Sequence, residues 1–341
     1  MTITGLKPEK ERGMDIGIDL GYCDTKVVAA GREPARFPSV AGSPEQASFS
    51  LNGHTQDIIL TLPEHVLVGE GAVIQSRFLD RREDRNWVTS DTYYHLFLAG
   101  LTEMTRATAA DLTVVTGLPV AFYGDRELVR ERFLANGTHR VQRHGRHAQT
   151  FRVTDCRVIP QPFGALLAEA LDDSGRIADT DLATGEVGVI DVGGKTTNLL
   201  SVRRMSEVAR ETASVSLGAW DVARAVGDYL ADACPGLDRR DHDLQNAIRD
   251  RTTSYYGERV DLSPVVDQAL ARMADQVIAE AGHLWNGGAR LAAVLVAGGG
   301  AHLLGDRIKA HFRHARVVTN PVFANAIGYW KFARRLSQAN R

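Results

Sequence analysis

One device occurs twice in this chain. Residues 14–30 read MDIGIDLGYCDTKVVAA and residues 186–202 read EVGVIDVGGKTTNLLSV. Each is an apolar strand that ends on an aspartate, turns on glycine, passes a threonine and returns as a second apolar strand. Glycine in or beside a strand lowers strand stability, so two such turns point to close backbone approaches that side chains would block. A strand–turn–strand unit repeated in both halves predicts two lobes on a common plan. The length of 341 residues agrees, since one compact core rarely holds more than roughly 250–300 residues.

Composition narrows the function classes. Apolar residues make up 44% and charged residues 24%, ordinary for a globular protein. A formal net charge of −2 removes the polycation expected of a direct nucleic-acid binder. No segment reaches the roughly 18 uninterrupted apolar residues of a membrane span. The start, MTITGLKPEKERGMD, lacks the apolar stretch of a secretory leader, so residues 1–13 read as a flexible tail. Cys23, Cys156 and Cys234 stand far apart and form no CxxC pair. That usage fits a reducing cytoplasm and argues against a disulfide framework or a zinc site.

Between the two devices the pattern alternates strand and helix. Residues 34–62 are dotted with Pro, Ser and Gly, and residues 65–72 read as a strand entering a turn. Helical spacing runs over 91–110, a buried strand over 112–118 stops at Pro119, and 125–136 is an amphipathic helix. The basic stretch 139–153 reads as a hairpin with a solvated turn, followed by a strand from 158 and a small-residue helix over 164–171. After the second device come helices near 217–233 and 262–284. A buried strand, three glycines and a helix then fill 291–312, and a final helix covers 324–338.

Three motifs carry chemistry. In the first, Asp19-Leu-Gly-Tyr-Cys-Asp-Thr-Lys26, Gly21 lets backbone amides approach a phosphate, and Lys26 on the returning strand can reach one. Asp19 suits a hydrated Mg²⁺, which keeps several waters and takes few carboxylates. Alone, the same residues also fit an ordinary hairpin with a polar turn. In the second, Asp191-Val-Gly-Gly-Lys-Thr-Thr197, Gly193 and Gly194 favour a close ligand, and Thr196 and Thr197 offer hydroxyls and amides. Gly194-Lys195-Thr196 has the ending of a P-loop, but position 189 is valine where the motif's first glycine belongs, and strand–turn–strand is the wrong context. The third, Ala297-Gly298-Gly299-Gly300, lies between a buried strand and a helix, where a flat ring or a phosphate can rest against backbone. A generic strand-to-helix turn is the plain alternative. No motif forms the GxGxxG dinucleotide pattern. The basic turn with His139, His144 and His147 is crowded by Arg140, Arg143 and Arg146, which disfavours a metal there.

Taken in order, the three motifs resemble the phosphate-1, phosphate-2 and adenosine segments of the actin/Hsp70/sugar-kinase superfamily. Within it the chain is most similar to the ParM/StbA group of actin-like ATPases. IGIDLGYCDTKVV, RFPSV (36–40), VTGLPVAFY (115–123), VIPQPFGALLAEAL (158–171), VIDVGGKTTNLLSV and NPVFANAIGYW (320–330) carry the resemblance. It covers most of residues 14–335 and is weakest at 43–60, 139–157 and 236–262.

The resemblance implies an α/β, two-lobed actin-like (ribonuclease H-like) fold, each lobe a mixed sheet flanked by helices, with nucleotide in the interlobe cleft. Domain I would take residues 14–163 plus 322–341, with a small subdomain at about 34–110. Domain II would take 164–321, with a small subdomain at about 217–275. It implies that Gln161 orients the attacking water, with a helix cap as the plainer reading, while Asp19 and Asp191 hold Mg²⁺ through water. Gly21, Asp24, Thr25, Lys26, Gly193, Gly194, Lys195, Thr196 and Thr197 would surround the phosphates, and Gly298, Gly299 and Gly300 the adenosine. The ligand is ATP by family expectation, with GTP also possible. Slow hydrolysis would time a filament in plasmid or DNA segregation, coupled to cargo by a separate DNA-binding adaptor. Two other classes share the fold: a small-molecule, sugar-type kinase, weakened by the lack of any Asn-Asp pair, and a cell-division or pilus scaffold ATPase.

Overall fold

The computed structural model describes residues 10–44, 58–80, 85–135, 137–237 and 241–339. The chain divides into two compact units, Met1–Asp179 with Phe323–Arg341, and Thr180–Val322.

In the first unit, strand Lys10–Leu20 pairs antiparallel with Asp24–Ala29, which pairs antiparallel with Ala35–Pro38. On its other side it runs parallel to Ala109–Leu118, and that strand parallel to Gln149–Pro160. The sheet continues through His139–Arg143 and Ile58–Leu62 to three short strands. Side chains alternate across the sheet. Ile16, Ile18 and Val27 join the aromatic core built on helix Asp91–Met104, where Phe97 stacks on Phe133 at 3.9 Å. Gly17, Val28 and Val115 face the helix Ala324–Ala339 on the opposite side.

That helix lies unusually close to the backbone beneath it. A Cβ on Gly17 would sit 2.1 Å from Ala326 O and 2.3 Å from Trp330 N. A Cβ on Gly164, in helix Phe163–Ala170, would sit 2.6 Å from Asn325 Cα, and one on Gly328 would sit 1.8 Å from Gly164 O. A strand, at Gly17, and a helix, at Gly164, therefore make room for this helix, and the helix for them at Gly328, by having no side chain at the contact.

The second unit repeats the plan. Glu186–Val192 pairs antiparallel with Thr197–Arg203, and that with Ser206–Glu207. Ala293–Ala297 then adds in parallel to Glu186–Val192, and Ala315–Val317 in parallel to Ala293–Ala297. Helices Ala219–Ala233, Ser263–Leu284 and Ala301–His311 contribute to a core that encloses Trp285, whose indole N–H donates to Glu211 O at 3.0 Å. Both units thus carry two antiparallel pairings followed by two parallel ones, the common plan expected from the repeated device.

Several expectations change. The first strand begins at Lys10, because Lys10 and Glu11 pair with Ala109 and Ala110 across a bulge, so residues 10–13 are not tail. Residues 1–9 of that tail lie outside the described residues. The chain leaves the first unit after Asp179 instead of 163, since helix Phe163–Ala170 packs on Ala324–Ala339 and belongs with it. Helix Asp241–Asp250 and the hairpin of Thr252–Tyr255 with Glu258–Asp261 occupy a stretch the sequence left blank.

Candidate functional site

In the first unit the register sets Asp19 opposite Lys26. Asp19 is 2% exposed, and the Lys26 ammonium lies 3.2 Å from its Oδ2. The other oxygen, Oδ1, accepts a hydrogen bond from Gln161 Nε2 at 2.8 Å. Burial of a carboxylate is costly unless donors replace water, and here one donor serves each oxygen. Because a carboxylate only accepts, the Gln161 amide nitrogen faces Asp19 and its oxygen Oε1 points away.

Gln161 stands between strand Gln149–Pro160 and helix Phe163–Ala170, and its peptide is fixed at both ends. Its N–H donates to Leu118 O at 2.7 Å, while its carbonyl accepts from Gly164 N at 3.1 Å and from the Tyr329 hydroxyl at 3.0 Å. The helix start is served by this backbone carbonyl, and no side chain caps it. The Gln161 side chain is therefore committed to Asp19 and does not act as a cap.

Two other predicted residues of this hairpin turn elsewhere. The Thr25 hydroxyl is fully buried and pairs with Ser39 Oγ at 3.0 Å. Asp24 Oδ2 holds Arg36 Nη2 at 2.8 Å. Gly21 sits at the turn, where a Cβ would come within 3.1 Å of Asp24 O and 3.9 Å of Lys26 Nζ.

In the second unit Asp191 is 3% exposed near the end of its strand. The turn after it is held by backbone. Gly193 N donates to Thr196 O at 2.9 Å, and the first amides of helix Ala219–Ala233, Ala219 N and Trp220 N, donate to the carbonyls of Gly193 and Gly194 at 3.1 and 2.9 Å. Gly218 permits this docking, since a Cβ there would lie 2.2 Å from Gly194 O. The Thr197 hydroxyl donates to Leu217 O at 2.8 Å and so braces the same loop.

The triple glycine belongs to this turn. Gly298 has φ +87°, and a Cβ on it would meet Val192 O at 2.4 Å and Asp191 Oδ1 at 2.6 Å. Gly300 N donates to Val192 O at 3.0 Å, and its Cβ would strike Val192 Cγ1 at 2.4 Å. Gly299 differs, because a Cβ there meets nothing within 4 Å. Intrachain packing explains two of the three glycines, and it brings the second and third motifs together.

Both halves of the chain match known protein families. Residues 17–164 match the N-terminal domain of actin-like proteins, and residues 189–310 match the C-terminal part of archaeal MreB-like actin homologues. The chain is an actin-like protein. It is 24% identical over 331 residues to an archaeal actin homolog of Thermoplasma acidophilum, covering 94% of this chain and 98% of that one. An archaeal actin homolog solved in complex with ADP superposes with a TM-score of 0.77 at 23% identity, over 94% of this chain and 99% of that one. A 15-stranded ParM filament from Clostridium botulinum gives 0.78 at 21% identity, over 95% and 99%.

Each unit by itself offers one nearly buried aspartate, Asp19 in the first and Asp191 in the second, and a carboxylate of this kind is compatible with a Mg²⁺ that keeps its waters and needs few protein ligands. Among the described residues no group of three or more His, Cys, Asp and Glu could hold a metal directly. His139 is committed elsewhere, with Nε2 on Phe133 O at 2.7 Å and Nδ1 on the Tyr94 hydroxyl at 2.8 Å. Burial pushes the Cys156 thiol up to about 12 and raises Tyr93 as well, with the Asp19 charge contributing to the latter, so neither is poised to ionise.

Tyr329 is fully buried, and its hydroxyl reaches the carbonyl of Gln161, in space that exists because position 117 lacks a side chain. Glycine inside the apolar strand VVTGL was the available signal.

Proposed function

We propose that this chain binds Mg-ATP, hydrolyses it slowly and uses the nucleotide state to control its own assembly into filaments. The observation that carries the reading is the bond between Gln161 Nε2 and Asp19 Oδ1 at 2.8 Å, with Lys26 on the other oxygen. Two residues, Lys26 from the returning strand and Gln161 from a distant segment, converge on one buried carboxylate, in the chain of an actin-like protein.

Bound Mg-ATP would supply the phosphoanhydride and the cation that neutralises charge during phosphoryl transfer. Asp19 and Asp191 would hold the hydrated ion, and Lys26 would move from Asp19 to a phosphate. Gln161, kept in place by Asp19, would accept a proton-bearing water on Oε1 and orient it; an amide cannot act as a strong base, so positioning is its contribution. Backbone at Gly21, Gly193 and Gly194 would face the phosphates, with Lys195 and Thr196 beside them. Gly299 is free of intrachain crowding and so suits contact with the adenosine, while Gly298 and Gly300 shape the turn.

ATP would favour the assembled form and hydrolysis would loosen it, a population shift set by contacts to the γ-phosphate. The ADP-bound archaeal homolog and the ParM filament among the structural relatives support nucleotide binding and self-association in turn. We extend this to DNA segregation in the cytoplasm through a separate DNA-binding adaptor, in keeping with the near-neutral charge of the chain. Sedimentation with ATP, with ADP and without nucleotide, followed by electron microscopy of the pellet, tests the reading. Filaments that depend on ATP are expected, and no nucleotide-dependent pelleting across salt and Mg²⁺ concentrations overturns it.

A further inference from the structure

We propose that Tyr329 is a positioning residue for hydrolysis, acting through its hydroxyl on Gln161. The inference rests on the role of Gln161 given above and extends it to the helix Ala324–Ala339. Three hydrogen bonds fix the Gln161 backbone, and two of them, its N–H donating to Leu118 O and its carbonyl accepting from Gly164 N, are backbone–backbone bonds. The third comes from the Tyr329 hydroxyl at 3.0 Å, across 168 residues of sequence.

Tyr329 is fully buried, so its ring could serve packing alone and phenylalanine would fill the same volume. The hydroxyl needs a separate explanation. Room for it exists only because position 117, inside a central strand, is glycine: a Cβ there would lie 1.9 Å from the Tyr329 oxygen and 3.1 Å from Gln161 Cα. Glycine in a strand interior weakens the strand, so the sheet forgoes stability to seat a phenol oxygen against Gln161.

The same helix also governs the other partner of the Gln161–Asp19 bond. The backbone of Ala326 and Trp330 rests on Gly17, two residues before Asp19 on its strand. One rigid element therefore sets both ends of a 2.8 Å contact, one through backbone packing and the other through a hydroxyl. A water-orienting amide works only within a narrow range of positions, and a fixed peptide keeps its side chain in that range.

Tyr329→Phe removes one oxygen and keeps the ring, so the variant is expected to fold. Its single-turnover rate of phosphate release should fall about three- to tenfold, as loss of one hydrogen bond allows, with the dissociation constant for ATP unchanged. In a Gln161→Ala background the same substitution should add nothing, because the group it positions is gone. A wild-type rate in Tyr329→Phe, an equal rise in the ATP dissociation constant, or full additivity with Gln161→Ala would each overturn the proposal. Crystal structures of the nucleotide-free wild type and Tyr329→Phe separate this failure from failure of the functional reading. A Gln161 carboxamide still on Asp19 in the variant refutes the positioning role whatever the activity, and a displaced one supports it. Absence of hydrolysis in the wild type would instead refute the functional reading.

Discussion

The two hairpins share a topology but are held in different ways. At Asp19 the device depends on side chains: one ammonium from the returning strand and one amide from a distant segment occupy the carboxylate. At Asp191 it depends on backbone: the turn carbonyls accept from the start of a helix, and Gly218, Gly298 and Gly300 let main chain meet main chain or Val192. A side-chain clamp can open by rotating bonds, whereas a backbone clamp opens only if the fold gives way. The Asp19 hairpin is therefore the part suited to rearrange around a ligand, and the Asp191 turn is the part suited to stay fixed.

The sharpest way to break this contrast is Gly298→Ala. The new Cβ would lie 2.4 Å from Val192 O at φ +87°, so a loss of about 3 kcal/mol or more is expected, read from urea unfolding. An unchanged midpoint would mean that backbone approach does not hold the second turn. Asp19→Ala should cost less, about 2 kcal/mol, by leaving Lys26 and Gln161 without their acceptor. If it cost as much as Gly298→Ala, the first hairpin would be as rigidly tied as the second.

Gln161→Ala should leave stability within about 1 kcal/mol, since its backbone bonds remain, while phosphate release slows roughly 10- to 100-fold. An unaltered rate would remove Gln161 from the site. The smallest effect concerns pH. Burial lowers the pKa of His139, whose neutral ring donates from Nε2 to Phe133 O and accepts the Tyr94 hydroxyl on Nδ1. His95 is lowered by burial too. A depressed histidine pKa means that the unfolded chain binds the proton first, so stability falls as pH drops below about 6.5. Denaturant midpoints at pH 7.5 and 5.5 should show the decline, and His139→Asn should shrink it. A midpoint that stays level between these values would contradict the neutral buried ring.

Much of this was legible in the sequence because it is local. The aspartate–glycine turns, the triple glycine and the alternating apolar strands are patterns within a few residues, and they appear where periodicity placed them. What escaped depends on contacts distant along the chain. The Thr25 and Thr197 hydroxyls looked like phosphate donors, yet Ser39 and Leu217 claim them through tertiary structure. Helix Phe163–Ala170 was assigned to the second domain because its partner helix begins at Ala324. The glycines that seat that partner, at 17, 117 and 164, were visible but mute until the approaching backbone was known.

That seating has a consequence for how the protein is made. Residues 180–322 are contiguous and leave the ribosome as a complete unit, while the first unit still lacks the helix Ala324–Ala339. The strand carrying Asp19 cannot settle on its supporting helix, nor Gln161 meet the Tyr329 hydroxyl, until translation has passed residue 339. A chain stalled short of that point has its second unit in full and an unfinished first one. It is thereby kept out of any activity that needs both.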